Sequence, residues 1–405
     1  MKSFSLFSLS FLSVAAVGAA SGAQVVFDDI PAPKPVAEQP AAEAPLPSEH
    51  QVNVIYFLGN DNEPVPGYET RLSNILLHLQ AFYGSEMQRN GYGNRSFGLR
   101  LTPEGKAAIL VLRGKLPSAE YGYDNGGAWK CLEEINEHFK AHPEDCHSQH
   151  SFIIMPTFYN AEYNDDTPGG VPFFGLGTNC FALDYAHFDL RYLGEDSARG
   201  HLLTKWYGGF AHELGHGLNL PHNNGTATEN AAHGTALLNS GNYTFGLKPT
   251  YLTPASCRLL DRSETFAPQG STVAYYATHE APAVENVAYT FDGAALHLSL
   301  TTPADWLVNA YVQDPPYYVN QDYDAVAFPL APTGTPADGK QTHSVTIPLS
   351  ELTSLSHTAK ADQALDLLLL APDGSRFRTR LPLNWPTITP NQEIKPDKLE
   401  FSEGY

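Results

Sequence analysis

The stretch AHELGHGLNLPH, residues 211 to 222, carries His212, Glu213 and His216, with a third histidine, His222, close behind. On a helix, two histidines four residues apart project from the same face, close enough to share one metal ion. The helix must then stop. Gly217-Leu218-Asn219 allows this, because Asn tolerates the left-handed backbone that commonly ends helices. Pro221 continues the reversal and returns His222 toward the first pair. The stretch therefore demands a helix end, a turn and three imidazoles gathered on one side of it.

Three imidazoles gathered this way suit zinc, which in catalytic sites takes three protein ligands and keeps a fourth position open. The expectation is one zinc ion on His212, His216 and His222. Glu213 lies beside it and takes the proton of a water that attacks a carbonyl. The reaction class is peptide-bond hydrolysis. His-Glu-x-x-His alone is a moderately specific pattern, and the continuation to His222 sharpens it. The bland alternative is three structural histidines around a helix end. No Cys-x-x-Cys pair exists, so a thiolate zinc site is not expected.

The rest of the chain bounds the setting. Residues 1–23 combine Lys2, a short apolar run from Phe4 to Val17 and then small residues, the pattern of a secretory signal peptide. The protein is expected to be secreted or periplasmic, with no lipobox cysteine near the cleavage region. Residues 24–50 read as a Pro/Ala-rich linker. No later stretch is apolar enough to span a membrane. Acidic residues outnumber basic ones 44 to 24, a net charge of -20, which repels nucleic-acid phosphates. The same charge opposes anionic sialic acid. Cys131, Cys146, Cys180 and Cys257 allow two disulfides in an exported chain, with three possible pairings, or simple buried thiols. The chain is read as a monomer.

Residues 51–263 alternate strands and helices, which predicts an α/β domain with a mixed, mostly parallel sheet and packed helices. VNVIYFL (52–58), SFGLRL (96–101), AAILVLRG (107–114) and SFIIMPTF (151–158) read as strands. Leu72, Ile75, Leu76, Leu79 and Tyr83 fall on one face of a helix. After that the character changes. Residues 264–390 hold short strands separated by turns, the pattern of an all-β sandwich. Residues 391–405 read as a C-terminal tail.

HELGHGLNLPH resembles the metzincin zinc peptidases, whose pattern is His-Glu-x-x-His-x-x-Gly-x-x-His followed by a methionine turn. Asn219 stands where Gly is usual. The only methionines are Met1, Met87 and Met155, so none follows the motif. Leu238, in GTALLNSGNYTFG (234–246), takes the methionine's place with similar volume. The likeness is closer still. VIYFLGNDNEPVPGYETRLS, FYGSEMQRNGYGNRSFGL, GGVPFFGLGTNCFALDY, LLTKWYGGFAHELGHGLNLPHN, NYTFGLKPTYLTPASC and DPPYYVNQDYDAV together resemble the O-glycopeptidases of mucin-degrading bacteria. Those are secreted metzincins that cut N-terminal to a Ser or Thr bearing an O-glycan. The resemblance runs from about residue 51 to near residue 385. It implies His212, His216 and His222 as ligands, Glu213 as catalytic base and O-glycosylated, mucin-like proteins as substrates. A general metzincin protease indifferent to glycans is the first alternative. A catalytically weakened glycoprotein-binding relative is the second, suggested by Leu238 and the attached sandwich.

A sugar site needs aromatic faces for C–H surfaces and amides for hydroxyls. In metzincins an edge strand above the zinc pairs with the substrate backbone, and PFFGLGTNC (172–180) fits that place. Phe174 and Asn179 are candidates there. YGYDNGGAWK (121–130) adds Tyr121, Tyr123 and Trp129. The alternative is that these aromatics pack under loops. His233 is read as structural.

Overall fold

The computed structural model describes residues 44–158, 168–314, 322–355, 362–384, 388–396 and 398–403. The expected signal peptide and the expected linker up to residue 43 lie outside the described residues.

The first domain is built on β1 (Asn53–Leu58), β2 (Leu110–Arg113), β3 (Ser151–Pro156), β4 (Phe174–Leu176) and β5 (Asn179–Asp184), with spatial order β2-β1-β3-β5-β4. All neighbours are parallel except β4, which runs antiparallel at the edge. This is the mixed, mostly parallel sheet that the alternation predicts. Every residue of β1 and β3 is buried, which explains their unbroken apolar runs. Around the sheet lie α1 (Tyr68–Arg89), α2 (Gly127–Ala141), α3 (Ala198–Gly217), α4 (Ala227–His233) and α5 (Pro254–Asp261). The expected face of α1 is its core face, with Leu72, Ile75, Leu76, Leu79 and Tyr83 all fully buried. A short parallel pair, β6 (Thr235–Ala236) and β7 (Thr250–Tyr251), follows α3 and α4.

One buried ion pair ties the layers together. The Arg71 guanidinium of α1 donates to both Asp184 oxygens at the end of β5, at 2.6 and 3.0 Å, and the Tyr56 hydroxyl of β1 donates to Asp184 at 2.9 Å. SFGLRL is not a strand. It makes only isolated bridges, Gly98 to Gln51 and Leu101 to Ala107.

The second domain is a sandwich of two antiparallel sheets. Its strands are β8 (Glu285–Phe291), β9 (Ala295–Pro303), β10 (Leu307–Gln313), β11 (Val326–Pro329), β12 (Ala331–Ala337), β13 (Lys340–Pro348), β14 (Asp362–Leu370), β15 (Arg376–Asn384) and β16 (Ser402–Glu403). One sheet has the order β11-β10-β14-β15-β16 and the other β12-β13-β9-β8. Leu296, Leu298 and Leu300 of β9 meet Val308, Val312, Leu365, Leu367 and Leu369 between the sheets. Tyr311, Leu368 and Leu370 point the other way and join the core of the first domain, with Ala325 and Ala327. Burial on both faces is why β14 reads LDLLLL with little alternation.

The domains interlock beyond the expected boundaries. Residues 44–50 were expected in the linker, yet Leu46 N–H donates to Asn94 O at 2.8 Å and Ser48 Oγ to Ala267 O at 2.9 Å. Residues 264–276 were expected in the sandwich, yet Phe266 lies in the first core and Tyr276 bonds His150 at 2.7 Å. The expected tail supplies β16 and a bridge from Ile394 to Tyr289. All four cysteines are free thiols, three of them buried and Cys146 exposed. No helix among the described residues is long and apolar enough to cross a membrane.

Candidate metal centre and active site

α3 opens on Ser197, whose hydroxyl accepts from Gly200 N–H. It ends as the sequence demands. Asn219 is left-handed at φ 69, and Asn219 N–H donates to His216 O at 2.7 Å. Leu220 N–H donates back to Gly215 O at 2.9 Å. This pair of bonds caps the last carbonyls and reverses the chain, and the reversal brings His222 to His216.

The three imidazoles converge. His216 Nε2 lies 3.1 Å from His212 Nε2 and 3.1 Å from His222 Nε2. His212 Nδ1 is 2.7 Å from Leu237 O, and His216 Nδ1 is 2.8 Å from Leu220 O. A carbonyl only accepts, so both Nδ1 atoms carry hydrogen and both Nε2 atoms present lone pairs. Burial, reinforced by the neighbouring imidazoles, lowers His212 to about 3 and His216 well below the ordinary range, so both stay neutral. Lone pairs aimed at one another in a buried site call for a cation between them. Zinc–nitrogen bonds of about 2.0–2.1 Å in a tetrahedron put the nitrogens about 3.3 Å apart, close to the spacing here. The donor set fits zinc, and it is the only such cluster among the described residues.

Glu213 lies next to the triad on α3. The edge strand β4 presses so closely on this helix that a side chain at Gly175 would meet His216 Cβ at 2.1 Å. Only glycine permits that approach, and it lets Gly175 N–H donate to Glu213 Oε2 at 2.8 Å. Burial pushes the Glu213 carboxyl up to about 8, partly countered by this bond. A carboxyl in this position can accept and donate a proton.

Leu238 is buried beneath the helix, where a side chain at Gly215 would touch its two methyl carbons at 3.1 Å. It packs against the turn of α3 between the two histidines, and its neighbour Leu237 orients His212. Phe174 and Tyr123 come together at the edge strand, their rings 6.1 Å apart and perpendicular, with Tyr123 42% exposed. Asn179 opens β5 opposite Leu176 of β4 and is partly buried. Trp129 is 65% exposed on the first turn of α2. Tyr121 departs from expectation. It is fully buried, its hydroxyl donating to Glu134 at 2.6 Å and accepting from Leu116 N–H at 3.0 Å, so its ring offers no face to a ligand. His233 ends α4 and packs 5.6 Å from the Tyr251 ring, apart from the triad.

Two further residues are not singled out by the motif, although both lie in DPPYYVNQDYDAV, a segment that carries part of the resemblance. Asp322 Oδ2 lies 3.4 Å from His222 Nδ1, and the Tyr323 ring lies 4.9 Å from the His222 ring. Burial pushes the Asp322 carboxyl up, but the His222 contact, together with a backbone hydrogen bond and the Arg378 charge, leaves it below the usual range. Both belong to the sandwich. A separation of 100 residues leaves no spacing signal.

Most of the chain resembles known structures. Wild-type OgpA from Akkermansia muciniphila matches with a TM-score of 0.80 at 46% identity, over 87% of this chain and 97% of that one. Catalytically inactive OgpA in complex with an O-glycopeptide (glycodrosocin) substrate matches with a TM-score of 0.81 at 44% identity, over 91% and 100% of the two chains. Wild-type OgpA in a second crystal form gives 0.79 at 44% identity, over 90% and 99%. No protein-family model matches the chain, and no curated protein does.

Proposed function

The chain belongs to the family of the O-glycopeptidase OgpA, and from that membership we propose a secreted zinc endopeptidase of the metzincin type. It hydrolyses peptide bonds N-terminal to O-glycosylated Ser or Thr in mucin-like proteins. The observation that carries this reading is the convergence of three imidazole nitrogens beside a carboxylate bonded to the edge strand. The O-glycopeptide bound by inactive OgpA supports the substrate class. Export rests on the N-terminal sequence alone.

Bound zinc supplies a Lewis acid that polarises the scissile carbonyl. His212, His216 and His222 hold it, with the first two fixed as neutral donors by their carbonyl partners. Glu213 takes the proton from the attacking water and passes it to the leaving amine. The side of β4 that pairs with no strand among the described residues would receive an extended substrate backbone. There Phe174 and Tyr123 offer aromatic surface to a sugar, and Asn179 an amide.

The test is digestion of one mucin-type glycoprotein before and after O-glycan removal. Cleavage is expected only of the glycosylated form, lost on chelation and restored by zinc. Cleavage of both forms points to a general metalloprotease. Binding without cleavage in the presence of zinc points to a weakened, glycoprotein-binding relative.

A further inference from the structure

We propose that the sandwich domain completes the metal centre, with Asp322 as a positioning residue that holds His222 so that its Nε2 faces the other two imidazoles. The inference rests on the zinc reading above. His212 and His216 are oriented by neutral backbone carbonyls of their own domain. His222 differs in kind. Among the described residues, the acceptor that its Nδ1 meets is the Asp322 carboxylate, at 3.4 Å. A carboxylate behind a metal-binding histidine fixes its tautomer and makes the ligating nitrogen more basic.

The placement of Asp322 is itself enforced. Ala325 N–H donates to Asp322 O at 3.0 Å and so shapes the turn. Asn224, two residues beyond His222, donates its N–H to Ala325 O at 2.6 Å and accepts from Ala327 N–H at 3.2 Å. The backbone beside the third histidine is thus joined to the backbone beside its carboxylate. From the other flank, Asn239 Nδ2 donates to Tyr323 O at 2.9 Å and to Asp324 Oδ1 at 2.7 Å. The Tyr323 hydroxyl returns a bond to Asn239 O at 3.2 Å. Its ring stands against His222 and limits how that imidazole tilts. Asn239 directly follows Leu238, so the turn beneath the zinc ligands and the sandwich loop form one clasp. A domain fixed in this way is a structural part of the active site rather than an appended binding module.

The test is zinc affinity of the full chain, measured by competition with a chromophoric chelator. Asp322→Ala is expected to weaken binding about 10–100-fold. Asp322→Asn keeps an acceptor oxygen without the charge and is expected to fall between; it also serves where the alanine variant fails to fold. Glu351→Gln removes charge from a pair of contacts to Thr228, at 2.6 and 2.9 Å, elsewhere between the domains. It is expected to keep wild-type affinity. Affinity within about twofold of wild type in both Asp322 variants, below the loss typical of such partners, overturns the proposal. An equal loss in Glu351→Gln also overturns it, because docking of the domains and not Asp322 would then be responsible. A wild-type chain that binds no zinc overturns the reading of the histidine triad as well.

Discussion

The two domains bury their sheets in different ways. In the first, parallel strands are covered by helices, and Glu213 with the first two histidines of the triad lies on α3 where the edge strand β4 packs against it. In the second, two antiparallel sheets enclose their own core, but one sheet is also covered on its outer face. Tyr311, Leu368 and Leu370 leave the sandwich core and enter that of the first domain. Arg258 of α5 donates to Val308 O and Leu330 O at 3.0 and 2.9 Å across the same joint. The difference teaches that the sandwich is not an independent module on a linker. One of its sheets is a wall of the first domain, and its Asp322 loop reaches the third histidine.

The contrast separates residues that serve the reaction from residues that serve the joint. The largest expected effect is on the reaction side. Glu213→Ala is expected to lower kcat/KM about 10²–10⁴-fold while zinc content and thermal midpoint stay at wild-type values. Loss of zinc or a lower midpoint would show Glu213 to be structural. The joint comes next. Leu368→Ala removes a buried side chain between the domains and is expected to cost about 2–5 kcal/mol, with both domains unfolding in a single transition. Two separate transitions in calorimetry would break the picture of one cooperative unit. The smallest effect is expected at the turn that follows the histidine motif. Leu238→Met conserves volume and costs under about 1.5 kcal/mol, so activity is expected within about tenfold of wild type. A much larger gain in turnover would mark the natural turn as impaired.

The parts legible in the sequence are those governed by short-range geometry. The four-residue spacing placed His212 and His216 on one face, and Asn219 adopts the left-handed cap that its side chain tolerates. The periodicity of α1 picked out its buried face. Long-range partners were not legible. Nothing near Asp322 in the chain points to a histidine in the other domain. Tyr121 and Tyr123 are indistinguishable as residues, and only tertiary packing buries one beside Glu134 and leaves the other at the rim. β12 carries no sequence signal, because APTGTPA is an exposed edge strand without an apolar face. The segment 264–276 packs on the first domain through Phe266, and its few buried groups show no period that would mark this in the sequence.

The central claim is that the site reads a glycan beside the bond it cuts. One synthetic peptide with a single Thr, made with and without a GalNAc-based glycan, tests it most directly by mass spectrometry of the products. Sugar hydroxyls that pair with buried polar groups would make the site reject the bare peptide by as much as about 10⁴ in kcat/KM. The predicted result is cleavage of the glycosylated peptide alone, with the glycosylated Thr as the new N-terminus. Equal cleavage of the bare and glycosylated peptides would contradict the account.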